Sequence, residues 1–196
     1  MTRKSKLLII GGAAALLLII FLVVSYNSLV KKEENVKFQW NEVQNTYQRR
    51  LNLIPNLVAI VQGNAEFEKT TLEEVTAARA KAASVNIDNG NPNASDFEKQ
   101  SGAQDSLAAV ANRLIITVEK YPDLQGTKAF RMLQTDLVGT EQRIKVARKD
   151  FNDAINKYNT SVRSFPTNLV AGLFGFKKRD GFAADEGADK GKEIKF

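Results

Sequence analysis

The chain has 196 residues, 43% of them apolar and 26% charged, with no cysteine, no histidine and a formal net charge of +6. That length and composition suit one folded domain, and the two missing residue types exclude disulfides, thiol nucleophiles, imidazole bases, phosphohistidine relays, thiolate or imidazole zinc sites and a lipid-modified N-terminal cysteine. Arg3, Lys4 and Lys6 precede the first apolar run, which leaves 25 bases against 22 acids, too even a balance for a nucleic-acid binder.

Residues 7–24 form an uncharged apolar run that would span roughly 27 Å as a helix, close to the hydrocarbon thickness of a bilayer. The run is longer than the apolar core of a signal peptide and lacks a small-x-small exit, since it leaves through Val24-Ser25-Tyr26-Asn27. A retained single-pass anchor over residues 7–25 is expected, behind a short basic stretch at 1–6. Arg3, Lys4 and Lys6 before the run, against Lys31 and Lys32 after it, favour a cytoplasmic N-terminus and an extracytoplasmic domain.

Beyond the run, apolar residues recur at spacings of three and four, the stripe of helices that pack on one another. The first such stripe is Val36, Trp40, Val43, Tyr47, Leu51, Ile54, Val58 and Val61, with Gly63 as its stop and Asn64 as the next cap. Pro55 interrupts it and implies either a kink or a full turn. A second stripe holds Leu72, Val75, Ala78, Ala82 and Val85 and ends in the turn-rich residues 86–93. A third, capped by Ser95 or Asp96, holds Leu107, Val110, Leu114, Val118 and Tyr121 before Pro122 breaks it. The fourth, over residues 127–164, runs from Phe130 through Thr140, Ile144, Phe151 and Tyr158 to Phe165. The expected fold class is therefore all-α, an N-terminal transmembrane helix followed by an elongated antiparallel four-helix bundle over residues 26–176. Residues 177–196, rich in glycine and charge and without an apolar period, are expected to form a disordered tail.

Several blocks carry a resemblance to a known family: Trp40-Asn41-Glu42-Val43, Tyr47-Gln48-Arg49-Arg50-Leu51-Asn52-Leu53-Ile54-Pro55-Asn56-Leu57-Val58, Leu72-Glu73-Glu74-Val75, Tyr121-Pro122-Asp123-Leu124, Thr140-Glu141-Gln142-Arg143-Ile144 and Phe165-Pro166-Thr167-Asn168-Leu169-Val170-Ala171. In this order, and covering nearly the whole chain to about residue 176, they resemble the LemA family. The resemblance implies a bacterial membrane protein with a helical-bundle domain, and it implies little about activity. The chain departs from the family pattern at Asn52, where an acid usually follows the arginine pair, and at residues 64–68, where the family has a histidine. Roles of that acid and that histidine do not carry over.

Candidate interaction residues fall into two groups. Arg49 and Arg50 stand beside Pro55, and Arg50 lies nearer the packed stripe, where it can pair with Glu141 to fix the packing register or can bind a partner or ligand. Phe165, Pro166, Phe174 and Phe176, closed by Lys177 and Lys178, form an apolar, aromatic and basic stretch that either caps the bundle core or returns to meet membrane lipid. Glu33-Glu34 and Glu73-Glu74 are neighbours about 100° apart on a helix, so they do not converge as a catalytic pair. No catalytic, cofactor or metal residue is expected. The reading is a non-enzymatic scaffold or interaction module at the bacterial inner membrane, with membrane lipid and an envelope protein as partners and no nucleic acid. The alternative is a small-ligand sensor or enzyme built from carboxylates and arginines.

Overall fold

A computed structural model describes residues 3–63, 69–85, 87 and 92–183, with backbone only for residues 4–8. The fold is all-helical: α1 (Arg3–Gln62), α2 (Lys69–Ser84), α3 (Ala94–Val118), α4 (Pro122–Gln125), α5 (Lys128–Arg163) and α6 (Thr167–Phe174). No strand occurs among the described residues. α1 is the one described helix long and apolar enough to cross a membrane, and its apolar run is almost wholly exposed.

α1 is a single helix of 60 residues that continues through Pro55, so neither a turn there nor a separate helix after the apolar run is present. It gives way at Gly63, as expected. The Asn64 cap and most of the 86–93 turn lie outside the described residues. α3 is capped two residues before Ser95, the nearer of the two expected caps. Asn93 is its N-cap, accepting from the Asp96 N–H while the Asp96 carboxylate accepts from the Asn93 N–H, a reciprocal box that satisfies two otherwise orphaned donors. Pro122 sits in the first turn of the short α4, and the Thr127 hydroxyl then accepts from the Phe130 N–H (3.2 Å) to open α5.

The chain forms two compact units, residues 1–39 with 153–179, and residues 40–152 with 180–196. In the second unit Leu51, Ile54, Leu57 and Val61 of α1 share a core with Leu72 and Val75 of α2, Leu107, Leu114 and Val118 of α3, Leu124 of α4, and Phe130, Leu133 and Leu137 of α5. Leu57, not Val58, is the fully buried member of the α1 stripe; Val58 packs at its edge. Both three-four spacings pass through this stretch, and the neighbours decide between them.

In the first unit Leu29 of α1 is buried with Val170 and Ala171 of α6, and Leu22, Val162 and Phe176 pack around them. α6 closes on Gly175, whose φ of 79° is the left-handed conformation a side chain would disfavour. The stripe of α5 holds from Phe130 to Tyr158 but fails at Phe165, which is 80% exposed. α5 has already ended at Arg163, and Pro166, without an N–H, cannot extend it, so the helical period no longer directs Phe165.

The tail is corrected at its start. Residues 177–183 form no helix, yet Arg179 and Phe182 are held by side chains of α5 within their respective units. The rest of the expected tail, 184–196, lies outside the described residues.

Candidate functional site

Three polar or aromatic centres stand out, each contained in one unit. The first is built on Arg50 in the second unit. Its guanidinium is only 2% exposed, a position that requires its charge and donors to be matched. One Nη donates to both the backbone oxygen of Gln104 (2.9 Å) and its side-chain oxygen (3.1 Å), and the other donates to the Glu141 carboxylate. α3 supplies Gln104 because Gln100 and Gln104 lie between Phe97 and Leu107 on its inward stripe. Gln100 itself exchanges side-chain hydrogen bonds with Gln44 of α1. A glutamine on an apolar stripe is the sequence signal that could have identified this partner; the sequence reading missed it.

The expected Arg50–Glu141 pair is therefore present, with Glu141 reaching in from a partly exposed position. Arg49 is not part of it. It is half exposed and lies 3.7 Å from an equally exposed Asp136, in a shallow depression that it lines with Asn45, Thr46, Gln48, Asn52, Leu53 and Asn56. Pro55 has a different consequence: the carbonyl of Leu51, which it cannot satisfy, accepts from Nε of Arg79 on α2 (2.9 Å). Nearby on α1, the buried Tyr47 hydroxyl and the Trp40 indole N–H have no partner among the described residues, and neither has Nε of Arg50 itself. Burial pushes the Tyr47 pKa from 10.0 up to about 12, with Arg148 opposing the shift and Asp105 adding to it.

The second centre is aromatic. Trp40, Phe97, Phe151 and Phe182 form a cluster in which all six ring pairs have centroids 5.0–6.1 Å apart. Phe182 is delivered by backbone recognition. The Asn152 side chain donates to its carbonyl (3.1 Å) and accepts from its N–H (2.9 Å), while the Arg148 guanidinium lies 4.8 Å over its ring. A lone phenylalanine in a charged, glycine-rich stretch carries no periodicity, and the sequence reading left it out.

The third centre belongs to the first unit. Tyr26, just past the apolar run of α1, contacts Phe174 (4.8 Å between centroids) and Phe176 (5.7 Å). Phe174 and Phe176 thus converge, whereas Phe165 and Pro166 stay exposed, as do Lys177 and Lys178. Leu169 and Leu173 are also exposed, and with Phe165 they follow a four-residue spacing. Asn159 repeats on Arg179 the clamp that Asn152 makes on Phe182: it donates to the carbonyl (2.8 Å) and accepts from the N–H (2.9 Å). Arg179 then pairs with Glu33 of α1 (2.6 Å) and lies 5.8 Å over the Tyr158 ring. Burial raises the Tyr158 pKa, Glu33 adds to the rise and Arg179 opposes it.

Arg50 and Glu141, and Arg179 and Glu33, are thus spent on each other, while Lys177 and Lys178 remain exposed. Among the described residues, no three Asp or Glu side chains are grouped to hold a metal.

Over 186 residues the chain is 27% identical to magnetosome protein MamQ 2 of Paramagnetospirillum magneticum, covering 85% of this chain and 68% of the relative. It is also 27% identical over 179 residues to magnetosome protein MamQ of Magnetospirillum gryphiswaldense, covering 82% and 65%. Protein LemA of Metamycoplasma hominis is 25% identical over 145 residues, covering 74% of this chain and 63% of that one. The LemA family model matches residues 39–196, and the chain belongs to the LemA family.

Proposed function

We propose that this protein is a non-enzymatic, membrane-anchored interaction module whose helical domain, an antiparallel four-helix bundle, works at the bacterial inner membrane with α6 lying on the lipid surface. The observation that carries this reading is the seat of α6. Val170 and Ala171 pack on Leu29, with Leu22 at the edge of that contact, and Tyr26 holds Phe174. All three α1 residues lie within a turn or two of the end of the apolar run. A helix fixed there lies at the interface once the run is in lipid. Its outer side chains, Leu169 and Leu173, with the exposed Phe165 just before the helix, suit the boundary between headgroups and acyl chains and would be a liability in water.

The scaffold reading draws support from the way Arg50 and Glu141 are used. A sensor or enzyme built on arginines and carboxylates would have needed them free, and they bind each other and Gln104. The charge bias around the run favours a cytoplasmic N-terminus, an extracytoplasmic domain and an envelope protein as partner.

The chain lacks cysteine, so single cysteines report position cleanly. Full-length protein carrying Leu173→Cys, labelled with an environment-sensitive fluorophore in lipid nanodiscs, should be quenched by spin-labelled lipid and shielded from iodide. Val138→Cys, exposed on α5, should show the reverse. Equal access of iodide to both positions would remove α6 from the membrane surface. Labelling of a cysteine at Lys178 by an impermeant reagent in spheroplasts reads the orientation, and its protection there would reverse the proposed topology.

A further inference from the structure

A pocket of about 400 Å³ opens in the first unit, lined by Asn156, Asn159, Thr160, Arg163, Ser164 and Lys178. Lys178 reaches it because the Asn159 clamp holds the neighbouring Arg179 backbone against α5, which brings together two cations 15 residues apart. No carboxylate lines the pocket. Arg179 is paired with Glu33, whereas Arg163 and Lys178 make no ion pair among the described residues. Two cations that line one pocket without a carboxylate repel one another, and an anion bound between them outweighs that repulsion with two attractions. The hydroxyl of Thr160 and the amide of Asn156 add donors of the kind that bind phosphate oxygens.

The position in the unit narrows the ligand. Lys32 donates to Ser161 and Val162 packs beside Leu29, so the last turns of α5 lie level with residues 29–32 of α1. That is roughly 8–12 Å along the helix beyond the apolar run, the depth at which arginine and lysine side chains reach the headgroup zone. Beyond the apolar run the unit carries Lys31, Lys32, Lys37, Lys157, Arg163 and the run Lys177-Lys178-Arg179 against only Glu33, Glu34 and Asp153.

We infer that this pocket binds a phosphate group, supplied by the headgroup of an anionic lipid. The depth argument rests on the membrane-surface reading of α6, while the pocket chemistry does not. The test offers the full-length chain, in detergent, equal amounts of phosphatidylglycerol and phosphatidylcholine, and native mass spectrometry counts the lipid retained. The wild type should retain phosphatidylglycerol in preference by about tenfold. Arg163→Gln with Lys178→Gln should bring the two lipids to parity, and Arg163→Lys should keep the preference. A charge-matched control outside the pocket, Lys31→Gln with Lys37→Gln, should keep it as well, as should Leu173→Ser, which alters only the exposed face of α6. An arm with inorganic phosphate separates the sources: displacement of the lipid assigns a general phosphate site, and retention assigns a headgroup site. Equal retention of both lipids by the wild type would overturn the inference, as would an unchanged preference in the pocket variant or an equal loss in the charge-matched control. Loss of preference in the pocket variant alongside an iodide-accessible position 173 would keep the phosphate pocket and discard the surface helix.

Discussion

Nε of Arg79 stands 2.9 Å from the carbonyl oxygen of Leu51, four residues before Pro55. In an uninterrupted helix that carbonyl would accept from residue 55, and proline has no N–H to give. A side chain from α2 replaces the missing backbone donor, which allows α1 to continue through Pro55 with its apolar register unbroken. The two residues should therefore be energetically coupled. Arg79→Met in the wild type should cost about 1–2 kcal/mol, the cost of a buried carbonyl left unpaired. In a Pro55→Ala background the backbone N–H takes over, and the same change should cost less than about 0.5 kcal/mol. Pro55→Ala alone should be neutral or stabilising. Thermal unfolding of the detergent-solubilised chain and its three variants measures the cycle, and additive effects would refute the substitution of donor for donor.

Arg50 and Arg49 should behave as opposites although they are adjacent. Arg50→Met leaves the Glu141 carboxylate and the Gln104 groups without their donor, and it should destabilise by about 3 kcal/mol or more. Arg49→Met, half exposed beside an exposed Asp136, should change stability by less than about 0.5 kcal/mol. Denaturant midpoints distinguish the two, and comparable losses at both positions would contradict the burial argument.

Tyr47 carries a pH signature. Its pKa in the fold is raised from 10.0 to about 12, so the folded state favours the neutral phenol more than the unfolded chain does. That contribution is complete below pH 10 and is lost as the pH climbs from 10 to 12. Tyr47→Phe removes a buried hydroxyl with no partner among the described residues. Stability at neutral pH should stay level or rise by up to about 1 kcal/mol, and the alkaline decline should become shallower. A melting temperature that falls at neutral pH would show the hydroxyl to be satisfied.

Phe182→Ala should cost about 2–4 kcal/mol, because it removes one of four mutually contacting rings, and it should open the 177–183 segment to limited proteolysis. Asn152→Ala should open the same segment while leaving the ring chemistry in place. If both variants keep the wild-type cleavage pattern, the segment is held by something other than the clamp and the cluster.

What was legible in the sequence was what periodicity encodes. The helical stripes and the inward facing of Arg50 follow from residues three or four apart on one surface, and the break at Pro122 and the stop at Gly63 follow from proline's missing N–H and from glycine. What was not legible depends on pairing across long separations. Nothing local announces that Arg79 will serve a carbonyl 28 positions away, or that Gln104 will offer two oxygens to one guanidinium. The choice of Leu57 over Val58 has the same origin, since both fit the period and only the neighbouring helices discriminate. The distribution of charge was hidden for a related reason. Counted along the chain the basic excess is slight, and only the fold sets residues 31–37 beside residues 157–179 and makes the first unit strongly positive.

The two asparagine clamps separate order from regularity. The backbone amides of Arg179 and Phe182 belong to no helix, yet each donates to a side-chain oxygen on α5. Amide hydrogen exchange at these positions must await release of the clamp, so slow exchange in this protein extends beyond its helices. Because each asparagine reads only main-chain atoms, the clamps place no demand on the side chains they hold.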